Sequence, residues 1–145
     1  MDKKTIASNR KARFEYFLLE KMEAGIALKG SEIKSIRAGQ ISLAEAYVQI
    51  QQNEAWLINA HIAPYDPASR NNHDPIRNRR LLLSKKQIQE LWQAIKIKGM
   101  TIVPVELYLT HGLAKVEIAL AKGKNLYDKR QEIAKRDMRR EVRES

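Results

Sequence analysis

Three histidines, His61, His73 and His111, are the only imidazoles in the chain, and acid–base or metal chemistry would have to begin with them. Their spacing argues against both. His61 falls in an alternating strand pattern, His73 in a turn-rich stretch and His111 at a hairpin tip, and no two share a metal-ligand spacing. Glu15, Glu20 and Glu23 could bring carboxylates together, although a solvated strand face accounts for them as well. Cysteine is absent, which removes thiolate ligands, sulfur nucleophiles and disulfides at once. The glycines form neither a Walker pattern nor G-x-G-x-x-G, so no phosphate cradle of those kinds is encoded. No catalytic residue, metal site or cofactor is expected. A metal-dependent nuclease would need an acidic pair assembled by the fold.

The basic residues offer different chemistry. The formal net charge is +10 over 145 residues. Arg70, Arg77, Arg79, Arg80, Lys85 and Lys86 lie on or beside one turn-rich stretch, where guanidinium forks and ammonium groups can hold phosphate oxygens or simply be solvated. From Lys122 to Ser145 there are nine Lys/Arg against five Asp/Glu, with few apolar side chains. Such a segment cannot bury enough surface to order itself, so it reads as an arm for a polyanion or as a solvated tail. Within it, Tyr127 is placed to stack on an unpaired base or to pack on the body, and Lys122, Lys124, Lys129 and Arg130 could hold a nucleic-acid backbone. Disorder when free and a helix when bound are expected there.

These groups need a scaffold, and the chain is long enough for one domain with an appendage. Residues 1–13 read as a flexible basic segment, residues 14–121 as the folded body and residues 122–145 as the basic tail. In the body, Phe14–Leu19 and Ile26–Leu28 read as strands joined by a bend at Glu23–Gly25. A short helix follows, opened by a Ser31 hydroxyl cap and closed at Gly39. Leu43–Gln51 and Ala55–Ile62 alternate as a hairpin, and 63–78 is a long mobile loop. Ser84 and Gln87 form a capping box for a helix whose apolar face is Ile88, Leu91, Trp92 and Ile95. Thr101–Leu109 and Leu113–Leu120 form a second hairpin across Thr110–Gly112, with Pro104 marking an edge or bulge. About six short antiparallel strands with inserted helices are best closed as a small barrel, mainly β with some α, of the oligonucleotide-binding (OB) type. No run of about 18 apolar residues occurs, so no membrane partner and a cytoplasmic location are expected.

Four segments carry a resemblance: 9–13 (NRKAR), 23–39 (EAGIALKGSEIKSIRAG), 74–83 (DPIRNRRLLL) and 122–130 (KGKNLYDKR). In this order and spacing they are similar to the SsrA-binding (SmpB) proteins of bacteria. The resemblance implies an OB-type barrel that binds the tRNA-like part of transfer-messenger RNA and delivers it to stalled ribosomes, without catalysing a reaction. It further implies that Glu23, Leu82 and Lys115 support binding of that RNA, to which Lys34 and Arg37 are added as nearby basic candidates. Tyr127, Asp128, Lys129 and Arg130 match a tail motif that enters the decoding centre of the small ribosomal subunit. Elongation factor Tu and alanyl-tRNA synthetase are implied as partners through the RNA, and a monomer is expected. Phe14 departs from the family pattern, standing where many relatives have His, and the tail stops at Ser145, earlier than in longer members.

Overall fold

The computed structural model describes residues 3–65 and 72–124, which form nine strands and three helices. In order these are β1 (Lys4–Ser8), α1 (Arg10–Glu15), β2 (Tyr16–Ile26), α2 (Gly30–Arg37), β3 (Ile41–Ser42), β4 (Tyr47–Gln51), β5 (Glu54–Ile58), β6 (His61–Ile62), β7 (Arg79–Leu82), α3 (Lys85–Lys96), β8 (Thr101–Thr110) and β9 (Leu113–Gly123).

Strand pairing runs β8–β4–β5–β7–β2–β9, and β9 pairs again with β8, so these strands close into a ring. Every pairing is antiparallel. Within the ring β8 meets β4 only at Ile102, and β1 covers the rest of that edge from Glu106 to Leu109. Alternation along the strands sends one face inward: Ala24, Val48, Leu57, Leu81, Leu107, Val116 and Ile118 belong to one buried cluster, to which Ile36 of α2 and Leu91 of α3 contribute.

Two hairpins are set by their turns. Gln52 and Asn53 have φ of 50° and 62°, and His111 and Gly112 have φ of 49° and 77°. Two consecutive left-handed residues give the primed turn whose twist suits a two-residue connection. Both connections are thus one residue shorter than the sequence suggests, since Glu54 pairs with Gln51 and Leu113 with Thr110.

The amino-terminal segment differs from its expectation. Lys4–Ser8 is not a loose tether but a strand paired with β8, from Lys4 opposite Leu109 to Ser8 opposite Glu106, with a register shift between Thr5 and Ala7. Asn9 then makes the corner. Its carbonyl oxygen caps α1 by accepting from the Ala12 N–H at 3.0 Å, and its amide donates to Pro104 O at 2.9 Å. That second bond sits beside the register shift between Pro104 and Glu106, where the imino acid cannot donate to a ladder. Ala12 of α1 covers Val103 and Ala121 in a small second cluster.

β2 likewise runs unbroken through Glu23–Gly25, and its irregularity lies earlier, between Leu18 and Lys21. The capping box of α3 forms as expected, with Ser84 Oγ accepting from the Gln87 N–H at 3.1 Å and Gln87 Oε1 accepting from the Ser84 N–H at 2.9 Å. Ser31 is not the cap of α2; Lys29 holds that position, its N–H donating to Glu32 Oε1 at 2.7 Å. Gly39, at φ 74°, closes the helix, and the Gln40 N–H returns to Ser35 O at 2.9 Å. No helix of the described residues is long and apolar enough to cross a membrane.

Candidate nucleic-acid interface

Gly25 is the centre of the site because it occupies the one position where β7, β2 and β9 meet side by side. It lies opposite Leu82 on one neighbour and Lys115 on the other, and Lys115 in turn lies opposite Tyr108. A Cβ at residue 25 would stand 3.2 Å from Leu82 Cβ, so the bare backbone is what lets Leu82 lean across the strand. Leu82 is half exposed, and Lys115 is partly exposed.

The next outward row along the same face consists of carboxylates: Glu23 opposite Glu117, and Glu117 opposite Glu106. Like charges in adjacent register repel, and the neighbours of each determine how it is held. Glu106 accepts from Thr5 Oγ1 at 2.7 Å and lies 3.5 Å from Lys3 Nζ; the Thr5 bond and the Lys3 charge outweigh burial and hold its carboxyl below the usual range. Glu117 lies 3.8 Å from Lys21 Nζ. Glu23 is exposed and accepts a hydrogen bond from the Tyr108 hydroxyl. Burial, then this bond, pushes the Tyr108 phenol well above its ordinary value, so it stays a donor at any physiological pH. Lys3 Nζ sits 4.3 Å from the Tyr108 ring centroid, closing the far side.

The face therefore combines a cation, an aliphatic side chain and a carboxylate oriented by a neutral donor. A polyanion alone would not call for the carboxylate. Bases and ribose hydroxyls would, because an ionised carboxylate only accepts and can read an amino, imino or hydroxyl donor.

Of the residues singled out in the sequence, Glu23, Leu82 and Lys115 are thus brought together on neighbouring strands. Lys34 and Arg37 are exposed on α2, a separate element, where Lys34 Nζ lies 5.5 Å from the Tyr65 ring centroid. Arg80 is exposed on β7, 3.5 Å from Glu54. Lys122 is exposed opposite Phe17, and Lys124 Nζ lies 4.9 Å from the Phe17 ring centroid while its N–H donates to Glu15 O at 2.8 Å. The root of the tail is therefore fastened beside α1. Tyr127, Asp128, Lys129 and Arg130 lie outside the described residues.

Arg79 is a correction. Its sequence setting places it among the phosphate-facing guanidiniums, yet it is wholly buried, with Nε donating to Glu32 Oε2 and Nη1 to Ala60 O, each at 2.6 Å. Arg77, partly exposed, donates to Glu32 Oε1 at 2.6 Å. Burial raises the Glu32 carboxyl, but Arg77, the Lys29 N–H and Arg79 together outweigh it and hold the group below the usual range. Alternation on β7 explains the split between Arg79 inward and its neighbour Arg80 outward.

His73 also departs from its expected setting in a mobile loop. It is buried, with Nε2 2.8 Å from Ile62 O and Nδ1 2.9 Å from Ser31 Oγ, so it pins its segment to α2 and β6. Residues 66–71 lie outside the described residues. No group of three or more His, Asp or Glu that could hold a metal occurs among the described residues.

Tyr108 and Glu117 belong to this candidate face by register, and no local pattern in the sequence singles them out. Counting the second hairpin from a two-residue turn places Tyr108 opposite Lys115; counting from a three-residue turn does not.

A closed ring of antiparallel strands on a strongly basic chain, with one mixed-charge outer face and a cationic strand at the root of its tail, defines a small β protein built to engage a polyanion with a readable surface. The family model described as "SmpB protein" matches residues 6–145, and the chain belongs to that family. The chain is 52% identical to the SsrA-binding protein of Sulfurihydrogenibium sp. (strain YO3AOP1) over 100% of its own length and 95% of the relative's, and 52% identical to that of Desulforudis audaxviator (strain MP104C) over 96% and 91%. A solved structure described as "tmRNA-SmpB: a journey to the center of the bacterial ribosome" is similar, with a TM-score of 0.69, 44% identity and coverage of 82% of this chain and 84% of that one.

Proposed function

We propose that this chain is an RNA-binding adaptor that holds the tRNA-like part of transfer-messenger RNA and delivers it to stalled ribosomes for trans-translation. The observation that carries the reading is the convergence of Glu23, Leu82 and Lys115 around Gly25 on neighbouring strands, in a chain belonging to the SmpB family. Lys115 supplies charge for phosphate, Leu82 an apolar surface for a sugar or base, and Glu23 an acceptor for a base or ribose donor. The strand ring functions as an OB-type barrel, and Lys34, Arg37 and Arg80 widen its cationic field. Lys122 and Lys124 start the tail on its path to the decoding centre of the small subunit, where Tyr127 stacks on a ribosomal base and Asp128, Lys129 and Arg130 fix its approach. The protein works in the cytoplasm as a monomer and catalyses no reaction; elongation factor Tu and alanyl-tRNA synthetase meet it through the RNA.

The test is to sequence the RNA that co-purifies with the full chain and to titrate the recovered species with the parent, Glu23→Ala and Lys115→Ala. Enrichment of one structured RNA with a tRNA-like end, bound more weakly by both variants, is expected. Recovery of bulk ribosomal RNA alone, or equal affinity of all three proteins, would overturn the assignment.

A further inference from the structure

α3 carries an aromatic side chain that its own packing does not use. Leu91 is buried, and Ile88 and Ile95 pack on the core, whereas Trp92 is 46% exposed and lies outside the clusters that form the core. On that side a groove of about 600 Å³ runs between α3 and the β4–β5 hairpin, floored by Ile50 and Ile88 and walled by Asn53, Lys85, Gln89 and Trp92. A second concavity continues it past Trp92 and Ile50 to Lys96. The indole and Ile50 line both, so the two concavities adjoin there as one trough.

The polar inventory of the trough is one-sided. The chain has 17 acidic residues, yet no carboxylate lines either concavity among the described residues. Lys85 stands at the first position of α3 and Lys96 at the last. At a rise of about 1.5 Å per residue they are roughly 16 Å apart along the axis, with the indole between them. The trough's rim decides between occupants: Lys85 and Lys96 stand at its two ends and no carboxylate lines it among the described residues, a field that suits an anionic chain. Separated cations, one exposed aromatic plane and amides able to face base edges are what an unpaired stretch of nucleic acid uses.

We propose that this trough is a second RNA site, distinct from the Glu23 face, which takes single-stranded RNA with a base stacked on Trp92 and flanking phosphates at Lys85 and Lys96.

Trp56 and Trp92 are the two tryptophans, so full-length protein carrying Trp56→Phe has one indole reporter at the site. That protein is titrated with an unstructured oligouridylate of about eight nucleotides, within the usual site size for single strands. Saturable quenching of Trp92 is expected, and the combined Lys85→Gln and Lys96→Gln variant should make the salt slope shallower by about 1.4, the contribution of two single-strand phosphates. By fluorescence anisotropy with a labelled oligonucleotide, Trp92→Ala should bind about tenfold more weakly, in line with the loss of one stacked base. The same variant should bind a folded tRNA-like RNA as the parent does, and its circular dichroism should match the parent's. Glu23→Ala should leave the quench intact while weakening tRNA-like binding; unchanged tRNA-like binding with the quench retained would count against the proposed function alone. An unmoved Trp92 signal at saturating oligonucleotide, a quench insensitive to the two lysines, or a quench produced only by an acidic amphipathic peptide would each overturn the second site.

Discussion

Glu32 Oε2 accepts a hydrogen bond from Arg79 Nε at 2.6 Å with both side chains completely removed from solvent. The pair ties α2 to β7, and through Arg77 it also holds the segment that leads into β7. Two of the four sequence segments that carry the family resemblance are thus joined by a bond whose role is to fix backbone, and Leu82 of the proposed RNA face follows Arg79 on the strand it fixes. Glu32 accepts from three groups and Arg79 donates to four, which leaves none of their buried polar atoms unpartnered.

Glu32→Ala should destabilise the fold by about 3–5 kcal/mol, because it strands a buried guanidinium. Glu32→Gln, which keeps hydrogen-bond acceptors without the charge, should cost less. Urea midpoints for both variants check the order, and a Glu32→Ala midpoint within about 0.5 kcal/mol of the parent, the size of an ordinary surface change, would contradict it.

Acid should unfold the protein partly through this group. The folded-state pKa of Glu32 is depressed, so its contribution is fully present above the unfolded value of about 4.3 and is lost as pH falls through the lower folded value. Glu106, also depressed, adds in the same direction. Thermal melts of parent and Glu32→Gln should hold a constant gap above the unfolded value of about 4.3 and draw together as pH falls below it, through the lower folded value. Parallel curves throughout would show that Glu32 is not the titrating group.

Lys115→Ala and Glu23→Ala should separate charge from readout. Removing the lysine should weaken RNA binding and make the salt slope shallower by about 0.7–0.9, as expected for one phosphate contact. Removing the carboxylate should weaken binding at every salt concentration without changing the slope. Tyr108→Phe should resemble a mild Glu23→Ala, since it frees the carboxylate it now orients. Identical slopes for the parent and Lys115→Ala would remove the phosphate contact.

Gly25→Val should displace Leu82, because even the first added carbon meets Leu82 Cβ at 3.2 Å. A destabilisation of about 1–3 kcal/mol is expected for such crowding, together with weaker RNA binding. Leu82→Ala in the same background removes the Cδ1 contact at 3.3 Å and the Cγ contact at 3.6 Å but keeps Cβ, so it should recover part of the stability and none of the affinity. Failure of that rescue in denaturant melts would place the strain elsewhere.

Deleting residues 126–145 should leave the fold and binding of folded RNA intact while abolishing rescue of stalled ribosomes in a reconstituted translation assay. Rescue at the parental level would remove the tail from the mechanism.

The reading of the sequence reached the second hairpin, α3 with its capping box and the antiparallel character, because turn residues and periodicity are local. It stopped where long-range pairing decides. Lys4–Ser8 has little apolar content, and only β8 makes it a strand. Arg79 looked like a surface cation since its composition matches Arg77 and Arg80, whereas its burial depends on Glu32, 47 residues away. Trp92 was counted as core by its spacing, yet the helix turns it outward. Glu23, Leu82 and Lys115 came from resemblance, and no local pattern reveals that Gly25 gathers them.

β8 divides its outer edge between two neighbours, β4 at Ile102 and β1 from Glu106 to Leu109, with Pro104 at the junction. Residues that composition would assign to a dangling leader therefore act as a stopper on an open ladder of amides and carbonyls. Shaving off the first eight residues would uncork it, and the ring would be left with a docking rail for a stray strand from a neighbouring copy, a hazard of clumping that no change around Gly25 could mend.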